Sequence, residues 1–166
     1  LNRDFQETLD KYGALLSRVA STYEANHHLQ QELLQEITLA VWQALTRFKG
    51  ESSEKTYIMR VAHNRAVNHV AYHAKQPKSD TYCEVSEPAD NGKASAESTL
   101  QKEKQIDSLL VAVRKLPIQT RQIVTLSMEG LSYQEISEVN GVKANNVGVI
   151  LNRARKTLME QIQHVE

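Results

Sequence analysis

The side chains of this 166-residue chain that stand out chemically are amides and cations at helical spacing. Asn145 and Asn146 open the last apolar-periodic stretch, just after Gly141, and Arg153, Arg155 and Lys156 follow on it. An asparagine can form two hydrogen bonds with an adenine edge, whereas arginine and lysine meet phosphate oxygens. Immediately upstream, Ser132-Tyr133-Gln134-Glu135 has the form of a capping box. In that motif the serine side chain accepts from the N3 amide and the glutamate reaches back to the cap. A capped helix, a turn and a second helix, from Leu131 to Leu158, read as a helix-turn-helix, which offers the start of its second helix to the major groove. Gly141 suits the turn because glycine accepts positive φ. By pattern alone the stretch is equally compatible with an ordinary helical pair in a bundle.

A second constellation runs from Phe48 to Lys78. Phe48, Lys49, Tyr57, Arg60, His63, Asn64, Arg65, Asn68, His69, Tyr72, Lys75 and Lys78 interleave aromatics, amides and cations. Aromatic faces stack on exposed bases while cations follow a backbone, so the stretch could hold single-stranded nucleic acid. It also suits a solvated helix face with Tyr57 partly in the core. His69 and His73, four residues apart, could share a ligand-bearing face, whereas the adjacent His27 and His28 chelate less well. No carboxylate or cysteine completes either set, so no metal is expected; the histidines are expected to be solvated or to face DNA, with some pH sensitivity near neutrality. Cys83 has no activating cation nearby and is expected to be a spectator thiol. There is no Walker loop, no Ser-His-Asp order and no carboxylate pair, so neither catalytic residues nor a cofactor are expected.

The elements that must position these groups are helices. Three prolines, six glycines, 40% hydrophobic residues and few aromatics favour long uninterrupted helices around a core. Phe5, Leu9, Tyr12, Leu16, Val19 and Tyr23 form one apolar stripe. A second helix is expected from about Leu29 to Phe48, buried through Leu33, Ile37, Ala40, Ala44 and Phe48 and broken by Gly50. A third, from about Glu54 to Ala74, is capped by Ser52 or Ser53 and buries Ile58, Val61, Ala62, Ala66 and Val70. Residues 76–95 are acidic, contain Pro77, Pro88 and Gly92, and read as a flexible linker. Beyond it come a helix from Ala96 to Leu116, with Ile106, Leu109, Leu110, Val113 and Leu116 turned inward and Pro117 ending it, a short helix from Gln119 to Glu129, and the helix-turn-helix. The expected architecture is all-α, with two small domains at 1–75 and 96–166.

Lys+Arg and Asp+Glu are 20 each, which disfavours a freestanding DNA binder but suits one that touches DNA within a larger assembly. A single cysteine suits a reducing cytosol, and no apolar run is long enough to span a bilayer. The start at Leu1 carries no signal-like segment and no Met, so N-terminal trimming and cytoplasmic residence are expected.

Leu33-Leu34-Gln35-Glu36-Ile37, Trp42, Arg47-Phe48-Lys49-Gly50-Glu51-Ser52-Ser53 and Thr56 to Asn64 resemble region 2 of extracytoplasmic-function sigma factors of the sigma-70 family. Leu116-Pro117, Arg121, Leu126, Gly130 to Ile136, Gly141-Val142 and Asn152-Arg153-Ala154-Arg155 resemble their region 4. The resemblance implies three partners: core RNA polymerase through its clamp helices and flap, promoter DNA, and an anti-sigma factor. Carried over by position, Glu32, Gln35, Glu36, Leu39 and Trp42 would face the polymerase. The loop from Phe48 to Thr56, with Lys49, Ser52 and Ser53, would capture a flipped −10 base beside Tyr57. Arg60, Asn64, Arg65 and Asn68 would lie along the DNA face of the third helix. Asn145, Asn146, Arg153 and Lys156 would serve the −35 element. The promoter elements lie more than one ~34 Å turn apart. A single globule of this length has a radius of gyration near ~15 Å, whereas Gln76 to Ala94 can reach about 63 Å when extended.

The sequence departs from the family pattern in four places. Glu32 stands where Asp is usual, and Tyr57 where Trp is usual. Ala71-Tyr72-His73-Ala74-Lys75 replaces an Arg-rich end. Asn146-Val147-Gly148-Val149-Ile150 replaces the common Thr-Val-Lys-Ser-Arg. Either −35 contacts are fewer, or Val149 and Ile150 meet thymine methyls or another protein. Two alternatives stay open: a polymerase-binding competitor with impaired promoter reading, and a helical module held by an anti-sigma-like partner.

Overall fold

The structure is a computed structural model and describes residues 4–76 and 96–164. Cys83, Lys78 and nearly all of the expected linker lie outside the described residues. The described residues form seven helices and no strand: α1 (Phe5–Tyr23), α2 (His27–Leu45), α3 (Glu54–Lys75), α4 (Ala96–Arg114), α5 (Ile118–Met128), α6 (Tyr133–Asn140) and α7 (Ala144–Gln163).

Local chemistry sets the helix starts. Asp4, Asn26 and Ser53 each accept a backbone N–H at the heads of α1, α2 and α3. Ser132 forms the expected capping box: its Oγ accepts from the Glu135 amide at 3.2 Å, and its N–H donates to Glu135 Oε2 at 2.7 Å. Gly141 closes α6 in the left-handed region, at φ 82°, where a Cβ would be strained. Pro117 is the N-cap of α5. At the other end of that junction, Arg121 donates to the Arg114 carbonyl and, at 3.2 Å, to that of Leu116, satisfying carbonyls that the end of α4 leaves open.

Helices α1, α2 and α3 pack against one another over Leu16, Val19, Leu33, Ile37, Ile58, Met59 and Ala62, all fully buried. Helices α4 to α7 close around Val113, Ile123, Leu126, Ile136 and Val147. The two groups are in contact: α3 meets α5 and α6, and α1 meets α4 and α5.

Three expectations are corrected. Helix α2 ends at Leu45, not at Phe48; Phe48 instead leaves the helix and lays its ring against Tyr57, with centroids 4.9 Å apart. Ile106 does not turn inward: it is 57% exposed, because among the described residues no helix packs over the first half of α4. Phe5, at the head of the first stripe, is exposed and sits edge-on to Trp42.

Candidate nucleic-acid and polymerase interfaces

The turn from Arg47 to Ser52 and the first turns of α3 enclose an open cleft of about 460 Å³. Phe48, Lys49, Ser52, Tyr57 and Arg60 line it, and Glu138 of α6 closes one side. The cleft exists because α2 stops early. Tyr57 donates its hydroxyl to the Ala44 carbonyl at 3.2 Å, which anchors its ring under the turn. Ser53 lies at the base of the turn as the cap of α3, its Oγ accepting from the Thr56 amide at 3.1 Å. Further along α3, Asn64, Arg65 and Asn68 are exposed on one side of the helix.

On α2, Glu32, Gln35, Glu36 and Leu39 form an exposed stripe at helical spacing. Leu39 is 48% exposed, a large apolar side chain left open among the described residues. Trp42 closes the stripe half-buried, edge-on to Phe5 at 5.7 Å.

The second candidate nucleic-acid surface is α7. Asn145, Asn146, Asn152, Arg153, Arg155 and Lys156 are exposed, while Val147, Leu151, Ala154 and Leu158 are buried against the neighbouring helices. Val149 and Ile150 separate: Val149 is exposed, whereas Ile150 is half-buried against the core. Gly148 faces Tyr133 of α6; a Cβ built there would lie 3.2 Å from the ring carbon Cε2.

Sequence patterns did not point to the residues that join the two groups of helices. Arg18 of α1 donates to both carboxylate oxygens of Glu129, at 2.8 and 3.0 Å. Lys55 donates to the Glu129 carbonyl at 2.5 Å, Thr56 to Glu135 Oε1 at 3.4 Å, and Arg60 to the Glu138 carbonyl at 3.3 Å. Arg114 donates to the Ser21 carbonyl at 2.9 Å, and the Arg121 guanidinium lies 5.8 Å from the Tyr23 ring centre. The bonds of Glu135 to Ser132 hold its carboxyl below the ordinary range.

Two histidines contradict the expectation of solvent or DNA contact. His63 is fully buried and shares a 2.6 Å hydrogen bond with the Tyr23 hydroxyl through Nδ1. Its Nε2 meets no partner among the described residues, and burial pushes the imidazole down to about 3. Burial also raises the Tyr23 hydroxyl. His69 is buried 3.0 Å from Glu24 Oε2, and its ring lies 4.3 Å from that of His73 with the planes tilted by 52°. Among the described residues no group of three or more His, Cys, Asp or Glu side chains could hold a metal.

Comparison with known proteins matches residues 8–76 to the family model "Sigma-70 region 2" and residues 106–158 to "Sigma-70, region 4". The "RNA polymerase sigma-H factor" of Pseudomonas aeruginosa is 30% identical over 140 residues, covering 80% of this chain and 72% of that one. The "ECF RNA polymerase sigma-E factor" of Escherichia coli K12 is 28% identical over 139 residues, covering 80% and 73%. Among solved structures, a sigma factor RpoE in complex with the anti-sigma factor NepR, from Bartonella quintana, has a TM-score of 0.70 at 18% identity over 96% of this chain and 97% of that one. CnrH in complex with the cytosolic domain of CnrY gives 0.66 at 16% identity over 98% and 89%. These two likenesses concern the fold.

Proposed function

The chain belongs to the sigma-70 family, among its extracytoplasmic-function members, and from that premise we propose how its surfaces divide the work of binding core RNA polymerase and directing promoter-specific initiation. The observation that carries the reading is the presence of both family regions, in order, on one chain. Residues 1–75 engage the polymerase clamp helices through Glu32, Gln35, Glu36, Leu39 and Trp42. Their cleft receives a −10 base between Phe48, Lys49, Ser52, Ser53 and Tyr57, while Arg60, Asn64, Arg65 and Asn68 follow the strand. An unstacked base costs a few kcal/mol, which stacking on Phe48 and Tyr57 offsets. Residues 96–166 read the −35 element through Asn145 and Asn146, with Arg153 and Lys156 on phosphates, and residues 76–95 link the two.

Packing of α6 against α3 supports a closed resting arrangement. Reaching two promoter elements more than ~34 Å apart requires the two groups of helices to separate. An anti-sigma partner, of the kind bound by the Bartonella quintana neighbour, is proposed to hold the closed form. The bond-making step belongs to the polymerase, so the chain acts without catalytic residues. No described helix is long and apolar enough to cross a membrane, and we place its activity in the cytoplasm with the polymerase.

The test is transcription by core RNA polymerase from a genomic promoter library, with and without the chain. Discrete transcripts that require the chain are expected. Co-elution with core polymerase without transcripts would instead identify a competitor.

A further inference from the structure

We propose that Val149 is a base-reading residue of this chain, packing against the C5-methyl of a thymine, with Asn145 and Asn152 on either side of it along α7. The inference rests on the reading of α7 as the major-groove helix.

Asn145, Val149, Asn152 and Lys156 follow one another at steps of four, three and four residues, which keeps them on one face of the helix. All four are exposed. Among the described residues, helix α7 packs only on α4, α5 and α6, so no described helix covers this face even while α6 lies against α3. The surroundings are cationic: Lys143, Arg153, Arg155 and Lys156 are exposed, and the only acid within α7 is Glu160, beyond them all. In a chain of zero formal charge, that local surplus marks a surface for an anion.

A lone exposed valine is unremarkable on a protein surface. Val149 differs in its place, as the single apolar side chain on this face between Asn145 and Lys156, with Met159 following one step beyond. A β-branched residue there also lowers helix propensity relative to Lys, Gln or Arg. Ile150, its apolar neighbour in sequence, is drawn into the core and so is not a candidate. A protein partner would need a cluster of aromatic or aliphatic anchors, which Val149 and Met159, ten residues and about 15 Å apart along the helix, do not supply. The DNA major groove has the matching feature: thymine alone offers an apolar methyl there, and adenine offers the paired donor and acceptor that asparagine recognises. The stripe therefore suits a step rich in A·T pairs, with the methyl contact made by Val149.

The experiment uses the full chain bound to core RNA polymerase and a promoter library randomised in the upstream element. The best upstream duplex is then remade with each thymine replaced in turn by deoxyuridine, which deletes only the methyl. For the natural chain, one such replacement is expected to lower promoter occupancy about fourfold, the effect of one methyl-sized contact. Val149→Ala is expected to be insensitive to that same replacement, and Val149→Thr, which keeps one methyl, to retain part of the effect. If no thymine is methyl-sensitive, or if Val149→Ala keeps the full sensitivity, the Val149 assignment is overturned while α7 remains a DNA reader. If the natural chain selects no upstream base although it still initiates transcription, the reading of α7 itself falls, and Val149 with it.

Discussion

The α3 face and the α7 face are both candidate DNA surfaces, yet they stand in opposite states. On α3, Arg60 already donates to the Glu138 carbonyl, and Glu138 walls one side of the cleft beside Tyr57. On α7, Asn145, Val149, Asn152 and Lys156 are exposed, and no helix of the first group touches α7. On the proposed reading, and among the described residues, the candidate upstream-element reader is open while the candidate −10 surface is partly covered by the same group of helices that carries that reader. Duplex DNA needs only an exposed helix, whereas a melted strand needs an aromatic pocket. If the proposed function holds, covering the pocket would keep free chain from binding stray single strands without affecting the reading of duplex.

The largest effect is expected in the cleft. Phe48→Ala removes a stacking face, and base–aromatic stacking of ~1–3 kcal/mol per base corresponds to a loss of roughly five- to 150-fold in promoter-dependent transcription. Lys156→Ala, which removes a single phosphate contact on α7, should cost only a few fold, nearly uniformly across promoters, and lower the salt slope by about one. Run-off assays on one promoter at several salt concentrations compare the two variants. If Lys156→Ala were the more damaging, the division of labour between the faces would be inverted.

Much of the second group of helices was legible because its signals are local. The Ser132 and Glu135 pair caps α6, Gly141 turns the chain, and Pro117 separates α4 from α5, each through contacts within a few residues. Ser53 at the head of α3 was legible for the same reason. Periodicity shows which face of a helix is apolar but not whether anything covers it, and so Ile106 is exposed although it lies in register with the buried residues of α4. Histidine is ambiguous in another way, since a neutral imidazole enters a core once a partner such as Tyr23 or Glu24 stands ready on a different helix. The Arg18–Glu129 pair spans 111 residues, and no spacing rule joins its members. The position of α6 over the cleft had no signal in the sequence at all.

Acid separates the two regions next. His63 is buried beneath the α3 face, bonded to Tyr23, whose ring Arg121 approaches from α5. The folded chain keeps His63 neutral down to about 3, whereas in the unfolded chain the imidazole takes up a proton near its ordinary value of about 6.5. Between those values the unfolded state binds more protons, so the contribution of His63 is fully present above about pH 6.5 and is lost as pH falls below it. At pH 5 the loss is about 2 kcal/mol. Thermal melts between pH 7 and 5 should fall steeply for the natural chain and less steeply for His63→Gln. Parallel profiles would show that the acid response arises elsewhere.

A smaller effect tests the contrast at its origin. Glu129→Gln weakens the bidentate contact with Arg18, which is 58% exposed on the Arg18 side and therefore partly screened. With the closed arrangement loosened by about 1 kcal/mol, affinity for a single-stranded −10 oligonucleotide should rise about fivefold, while affinity for upstream duplex stays the same. Anisotropy titrations with both probes read the two faces independently. Equal gains on both probes would mean that α7 was not free to begin with.

The smallest expected effect lies within α7. Gly148 costs that helix about 1 kcal/mol relative to alanine, so Gly148→Ala alone would be expected to stabilise it. Its new Cβ would, however, lie 3.2 Å from the Tyr133 ring, closer than ordinary van der Waals contact. The ring is 46% exposed and can swing outward, so the gain is reduced but not reversed. Stabilisation of about 0.5 kcal/mol is expected in the natural background and about 1 kcal/mol in Tyr133→Ala, where the ring is gone. The difference is the coupling between the two positions, which a double-mutant cycle by urea denaturation measures. Zero coupling would mean that Tyr133 does not rest on Gly148. Measurable coupling would give this departure from the family pattern a packing role, the glycine seating an aromatic ring of α6 on the candidate DNA-reading helix.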